Sequence, residues 1–567
     1  MERRQLFMTG VALLVMSVFL ALPVVGQLQQ ERVDLSAMAK IREEGLQRSK
    51  VMETASYLTD VFGPRLTNSP NIKAAAQWAT KKMTEWGLTK VNLETWGPFG
   101  RGWSNERTYV AMTKPYSFPV IAYPRAWTPG TDGTVKGEAV LAILNTPEDM
   151  EDCRGKLRGK FVMTTANPVL PAQFNAPGSR FTDQQLATMA NPPQRGRGGQ
   201  GGNPGGAPRG NAAPPTPAKL PGQLCGGMLP APQAPRGQAG GQQQQQQQQN
   251  FANQRNRFYI DEGVLALLAP GQASGFIAGG TVIVQSGGSR NASDQQSPPF
   301  VSLAAEHYGI MMRDIEKNVP VALEMNIENK FYDDDLNSFN VVGEISGTDK
   351  ADELVMVGAH FDSWHTGTGA TDNAAGSAIM MEAMRILKAA GLPMRRTVRI
   401  ALWTGEEQGL FGSAAYVRDH FAVRNTMALK PDHGKMSVYF NVDNGTGQIR
   451  GVYTEGNEAA RPVFEAWMQP LRDFGMTTLS PRGTTGTDHT NFDAVGLPGF
   501  QFIQDDIEYD TRTHHSNMDV YERLQTKDMM QNAVIVASFV YNAATRDDLF
   551  PRKPLPAAPV QRGGRGQ

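Results

Sequence analysis

From Leu336 onward the chain repeats one pattern. Short apolar runs rich in β-branched residues (LVMVGA, TVRIALW, MSVYFNV and GFQFIQ) alternate with segments of helical periodicity such as SAIMMEAMRILKAAG and VFEAWMQPLRDFG. A strand that stays apolar throughout, with no polar alternation, is buried on both faces, and strands separated by helices pair in parallel. The pattern predicts an α/β fold: a mostly parallel sheet with helices on both faces.

Each of these runs leads into polar residues. LVMVGA runs into His360 and Asp362, TVRIALWTG into Glu406 and Glu407, MSVYFNV into Asp443, and the loop after GFQFIQ ends in THHSNMD with His514 and His515. Asp372 lies just ahead of the helical segment that starts near Gly376. Open α/β sheets bind ligands at the carboxyl ends of their strands, so these residues are expected to converge. Three carboxylates and two imidazoles suit a pair of borderline cations such as zinc. A bridging carboxylate would hold the two ions roughly 3.5–4 Å apart, and two divalent ions against three carboxylates leave about +1, which favours hydroxide over water. Adjacent glutamates point in different directions, so one of Glu406 and Glu407 can ligate while the other carries a proton.

The rest of the chain narrows the class. Lys plus Arg and Asp plus Glu each total 55, so no net charge draws the protein to nucleic acid or an anionic surface. The two cysteines, Cys153 and Cys225, exclude a disulfide framework and a cysteine zinc ribbon and leave at most one bridge. Arg3 and Arg4 precede an apolar run from Leu6 to Val25, the layout of a signal peptide over residues 1–26 and hence of an exported protein, periplasmic or secreted. An uncleaved segment would instead anchor the chain to a membrane. SPNIKAAAQWATKKMTEWGL reads as a helix capped by Ser69 and stopped at Gly87, and KVNLETW as a strand. Residues 126–331 carry short strands and turns (GEAVLAIL, GKFVM, GTVIVQS), interrupted at 192–257 by a Gly/Pro/Gln-rich stretch expected to be disordered, as is the tail 549–567.

Several stretches together resemble the co-catalytic zinc exopeptidases of the aminopeptidase and glutamate carboxypeptidase family, nearest its carboxypeptidase Q branch. They are LTDVFGPRLTNSPNIKAAAQWATKKMTEWGL, GAHFDSWHTGTGATDNAAGSA, LWTGEEQGLFGSAAYV, NVD and HHSNMD, and they occur in order. RGKFVM and PFVSLAAEHYGIMMRDIEKN are similar to a protease-associated insert. The resemblance implies a zinc-exopeptidase fold divided into 27–125, an inserted β-rich domain at 126–331, and 332–548. It implies two zinc ions, with Asp372 as bridge, Glu407 and His515 completing one site, and His360 and Asp443 the other. Glu406 becomes the general base acting on a metal-bridging hydroxide, and Asp362 the carboxylate that orients His360. HSNMD matches the family pattern at His515, which leaves His514 beside the site or facing substrate. Asn373 after the bridging aspartate and Val520 after Asp519 depart from the usual pattern without removing a ligand.

The expected reaction is hydrolysis at a peptide terminus or in dipeptides, and the class leaves room for a homodimer. Two alternatives stay open: a zinc acyltransferase of the glutaminyl-cyclase type, and a catalytically inactive peptide-binding relative. YDDDL (Asp333–Asp335) reads as a solvated hinge rather than a calcium site, and the acids of QDDIEYD as a charged loop surface. His365 and His489 remain unassigned. His-Glu-x-x-His, Gly-x-Ser-x-Gly and phosphate-binding glycine loops are absent from the sequence.

Overall fold

The computed structural model describes residues 31–166, 168–192, 219–228, 242–272, 276–277 and 279–558; the segment 1–26, expected to be a signal peptide, lies outside them. Eight strands form the first sheet: β1 (Thr89–Trp96), β2 (Ser338–Ile345), β3 (Lys350–His360), β4 (Arg396–Trp403), β5 (Met436–Asn441), β6 (Ile449–Tyr453), β7 (Thr478–Ser480) and β8 (Gly499–Gln504). Their order is β1-β2-β4-β3-β5-β8-β6-β7. The central four, β4-β3-β5-β8, are parallel. Antiparallel pairs join β1 to β2, β2 to β4 and β6 to β8 at the flanks. The sheet is thus mixed at its margins and parallel where the apolar runs predicted it.

Helices cover both faces. Neighbouring residues of a strand point to opposite sides, and in β5 Tyr439 stacks on Phe492, with ring centroids 4.1 Å apart, while Phe440 meets Phe539 edge-on at 5.8 Å. Phe539 lies on a long helix, Thr526–Thr545, that packs beside Ala375–Ala389. On the other face Met356 and Trp403 pack with Tyr416 and Val417 of the helix Phe411–His420. The helix Pro70–Glu85 forms as its punctuation predicts: the Ser69 side chain accepts from the Ile72 N–H, and Ala75, Ala79 and Met83 are buried.

A second, nine-stranded sheet draws its strands from residues 102 to 332 and is covered by the helix Ala305–Glu316. Cys153 and Cys225 are joined by a disulfide within this part. Three expectations change here. GTVIVQS forms isolated bridges rather than a strand, because its partners are the loop residue Ser516 and Ala126. Of the stretch 192–257, residues 193–218 and 229–241 lie outside the described residues, but 242–257 belong to the helix Gln242–Asp261. Glutamine is a good helix former, and Phe258 and Tyr259 anchor the helix among Leu144, Cys153, Leu157 and Cys225. Nor is the whole tail loose. Phe550 is buried among Phe464, Trp467 and Phe500, Arg552 donates to the His433 carbonyl at 2.9 Å, and residues 559–567 lie outside the described set. Among the described residues no helix is long and apolar enough to cross a membrane.

Candidate metal centre

His360 is the last residue of β3, Glu406 and Glu407 come after β4, Asp443 after β5, and His514 and His515 end the loop after β8. The parallel register of these four strands brings their carboxyl ends side by side. Asp372 enters from the turn before the helix Ala375–Ala389.

Its two carboxylate oxygens face different neighbours. Oδ1 lies 3.1 Å from His360 Nε2, which is also 3.1 Å from Asp443 Oδ1. Oδ2 lies 3.3 Å from His515 Nε2, which is 2.8 Å from Glu407 Oε2. Two donor groups therefore share Asp372: one with His360 and Asp443, the other with His515 and Glu407. His514 also lies within reach of the second group, 3.8 Å from Asp372 Oδ2, with its ring stacked on Tyr509 and partly open to solvent.

The electrostatics are those of a site built for cations. Burial raises the pKa of Glu407 well above the carboxylate range, and the charge of Asp372 adds to it while His360 opposes it. Burial raises Glu406 likewise; His360 opposes the rise, and Asp443 and Asp488 add to it. Burial would lower His360, but Asp443 and Glu406 reverse that and hold its pKa well above the usual histidine value. Asp372 also resists its burial: the contact with His360 and the charges of His515 and His514 hold it below the normal range. Asp372 Oδ2 and Glu407 Oε1 are buried with no hydrogen-bond donor. A buried polar oxygen left without a donor is costly. Cations at the two groups would satisfy both atoms, so the residues present fit a pair of metal ions.

The support around these side chains comes from distant segments. Asp362 accepts from Thr67 Oγ1 at 2.9 Å and from the Glu406 and Glu407 N–H groups at 3.2 and 3.3 Å, so it fixes the glutamate turn. The His360 Nδ1 bond is instead to the Asp362 carbonyl, at 3.0 Å, with the carboxylate 3.7 Å away. Asp519 accepts from Thr371 N, Thr371 Oγ1 and Asp372 N, at 2.6, 2.7 and 3.1 Å. Arg65, fully buried, donates to the carbonyls of Leu58, Gly63, Phe361, Thr368 and Gly369 and so ties down both ends of the segment between Asp362 and Asp372.

Sequence reasoning assigned no role to Thr67, Arg65 or Asp519. Their signal was their place inside the motifs GPRLTNS and HSNMD. The two unassigned histidines sit outside both donor groups: His365 donates to the Pro124 carbonyl at 2.8 Å, and His489 Nε2 lies 3.2 Å from Glu455. Asp333 pairs with Arg101 at the surface. Asp505 departs from the charged-surface reading. It is buried and held by Arg180 and Arg450, because the segment around Ser179 packs across this loop.

Residues 340–540, which contain every candidate ligand, match the profile of peptidase family M28. The chain is 32% identical to carboxypeptidase Q of Mus musculus over 254 residues, covering 45% of this chain and 52% of that protein. It thus spans about half the length of this curated relative. In three dimensions it is similar to the M28 peptidase precursor of Shewanella amazonensis SB2B, with a TM-score of 0.59 at 20% identity over 92% of this chain and 98% of the other. A zinc aminopeptidase from Bacillus subtilis aligns with a TM-score of 0.50 at 16% identity, covering 88% and 97%. At these identities the structural likenesses speak for the fold.

Proposed function

With residues 340–540 belonging to peptidase family M28, we infer that this chain is an exported, zinc-dependent exopeptidase that releases residues from a peptide terminus or splits dipeptides. The observation that carries the reading is the division of Asp372 between two donor groups. His360, Asp443 and one Asp372 oxygen would hold one ion; His515, Glu407 and the other oxygen would hold the second. Bound there, the ions supply Lewis acidity and lower the pKa of water.

The protein's own groups do the rest. Glu406 ligates neither ion and stands next to Glu407 on the turn held by Asp362. Two bound cations would offset the burial that raises its pKa and keep it ionised. Its carboxylate then takes a proton from the attacking water and returns it to the leaving amine nitrogen. His514, half-exposed beside His515, faces the peptide terminus. Residues 1–26 direct export, and the second sheet carries the protease-associated insert.

The test uses the chain from Gln27, loaded with zinc, and peptides blocked at one end or the other, with products read by mass spectrometry. Release of single residues from one free terminus supports the reading and identifies the end that is cut. Binding of two zinc ions without any cleavage would overturn it.

A further inference from the structure

His515 is held from a direction that the metal-centre motifs do not contain. Residues 281–286, from the part of the chain that builds the second sheet, run antiparallel to 515–517. Val284 N–H donates to the His515 carbonyl at 3.2 Å, Asn517 N–H donates to the Val282 carbonyl at 3.1 Å, and Val282 N–H donates to Asn517 Oδ1 at 2.7 Å. Val282 and Val284 are buried against Ala304. Alternation then turns residue 285 to the opposite side, where the Gln285 side-chain amide meets His515 Nδ1 at 3.0 Å. The backbone of Gln285 is itself fixed, since its carbonyl accepts from Ala126 N–H at 3.2 Å.

The chemistry of this contact is specific. A histidine that ligates through Nε2 carries its proton on Nδ1, and the partner of Nδ1 decides which tautomer and ring angle prevail. In the tautomer that carries its proton on Nε2, the nitrogen 2.8 Å from Glu407 Oε2, Nδ1 accepts from the Gln285 amide N–H. With an ion at Nε2, Nδ1–H needs an acceptor, and the same amide supplies one by turning its carbonyl oxygen to the ring. A primary amide serves both tautomers in place; a methyl group serves neither.

We propose that Gln285 is a positioning residue for His515, so that the ion at the His515–Glu407 group depends on a side chain from the second sheet's part of the chain. This rests on the dimetal reading above. The test is a chelator-competition titration of zinc on the chain from Gln27, with Gln285→Ala and Gln285→Glu alongside. It is paired with long-range 15N NMR of histidine-labelled protein to follow His515.

In Gln285→Ala one zinc equivalent is expected to weaken about tenfold, the low end for loss of an outer partner at an exposed contact, while the other is unchanged. The His515 resonances of the ion-free protein should also move toward a mixture of tautomers. Gln285→Glu, an acceptor only, should retain the affinity. Equal affinities in all three proteins with unmoved His515 resonances would overturn the proposal and leave the dimetal reading intact, as would equal losses in both variants. Failure of the unaltered chain to bind two zinc ions would overturn both.

Discussion

Exchanging Glu406 and Glu407 for glutamine, one at a time, separates the two roles assigned to this turn. Both backbone N–H groups are held by the Asp362 carboxylate. That bond does not involve either glutamate side chain, so each substitution leaves the turn in place, and glutamine preserves the volume. Glu406→Gln removes a proton acceptor from a half-buried position without removing a proposed ligand. General base catalysis contributes about 10²–10⁴-fold, so kcat should fall by that factor, or about 3–5 kcal/mol in barrier at 1.36 kcal/mol per decade. KM and the zinc content should stay as they are.

Glu407→Gln is the converse. Its Oε2 lies 2.8 Å from His515 Nε2, so the amide removes a charged member of one donor group. One zinc equivalent should weaken by more than the ~10–100-fold that loss of an outer partner costs. Steady-state kinetics and elemental analysis after dialysis read both effects. Loss of zinc from Glu406→Gln, or full zinc retention with a kcat defect in Glu407→Gln, would refute the assignment.

Other consequences come from the supports. Arg65→Met leaves the carbonyls of Leu58, Gly63, Phe361, Thr368 and Gly369 without their donor; at ~1.5–3 kcal/mol per charged bond only partly recovered by water, denaturant melts should show a loss of about 4 kcal/mol or more. Burial lowers the His365 pKa to about 4, so the folded state keeps it neutral while the unfolded chain protonates near the ordinary value. The unfolded chain thus binds more protons between about pH 6.5 and 4, and this contribution, up to about 3 kcal/mol, is present above that window and lost as pH falls through it. Paired melts at pH 7 and 4.5 should show a smaller pH effect in His365→Phe. Opening the Cys153–Cys225 bridge, which spans 72 residues, should cost about 4 kcal/mol by chain entropy. A reduced sample with an unchanged guanidinium midpoint would contradict that.

The residues of the candidate metal centre could be picked out in the sequence because they come directly after strands whose apolar character is local. His360, Glu407 and Asp443 each sit at or just past the end of a run that only a buried parallel strand explains. Arg65, Thr67 and Gln285 carried no such signal. Each acts through a partner hundreds of positions away, and nothing in a short window distinguishes a buried arginine in GPRL from a surface one. Asp505 misled for the same reason, because an acid in QDDIEYD reads as solvated until Arg180 and Arg450 close over it. Phe550 was lost in a Pro- and Arg-rich tail whose composition outweighed one aromatic anchor.

The sequence by itself determined the central strands, the helices between them and the set of candidate donor side chains, since periodicity and residue chemistry are properties of neighbours along the chain. Tertiary structure alone decided how those donors share space. The register of β4, β3, β5 and β8 sets four strand ends side by side, and the turn at Asp372 points one oxygen to each donor group. A segment from the second sheet's part of the chain reaches His515. Those arrangements depend on contacts between residues far apart in the chain, which form only when the sheets and loops pack.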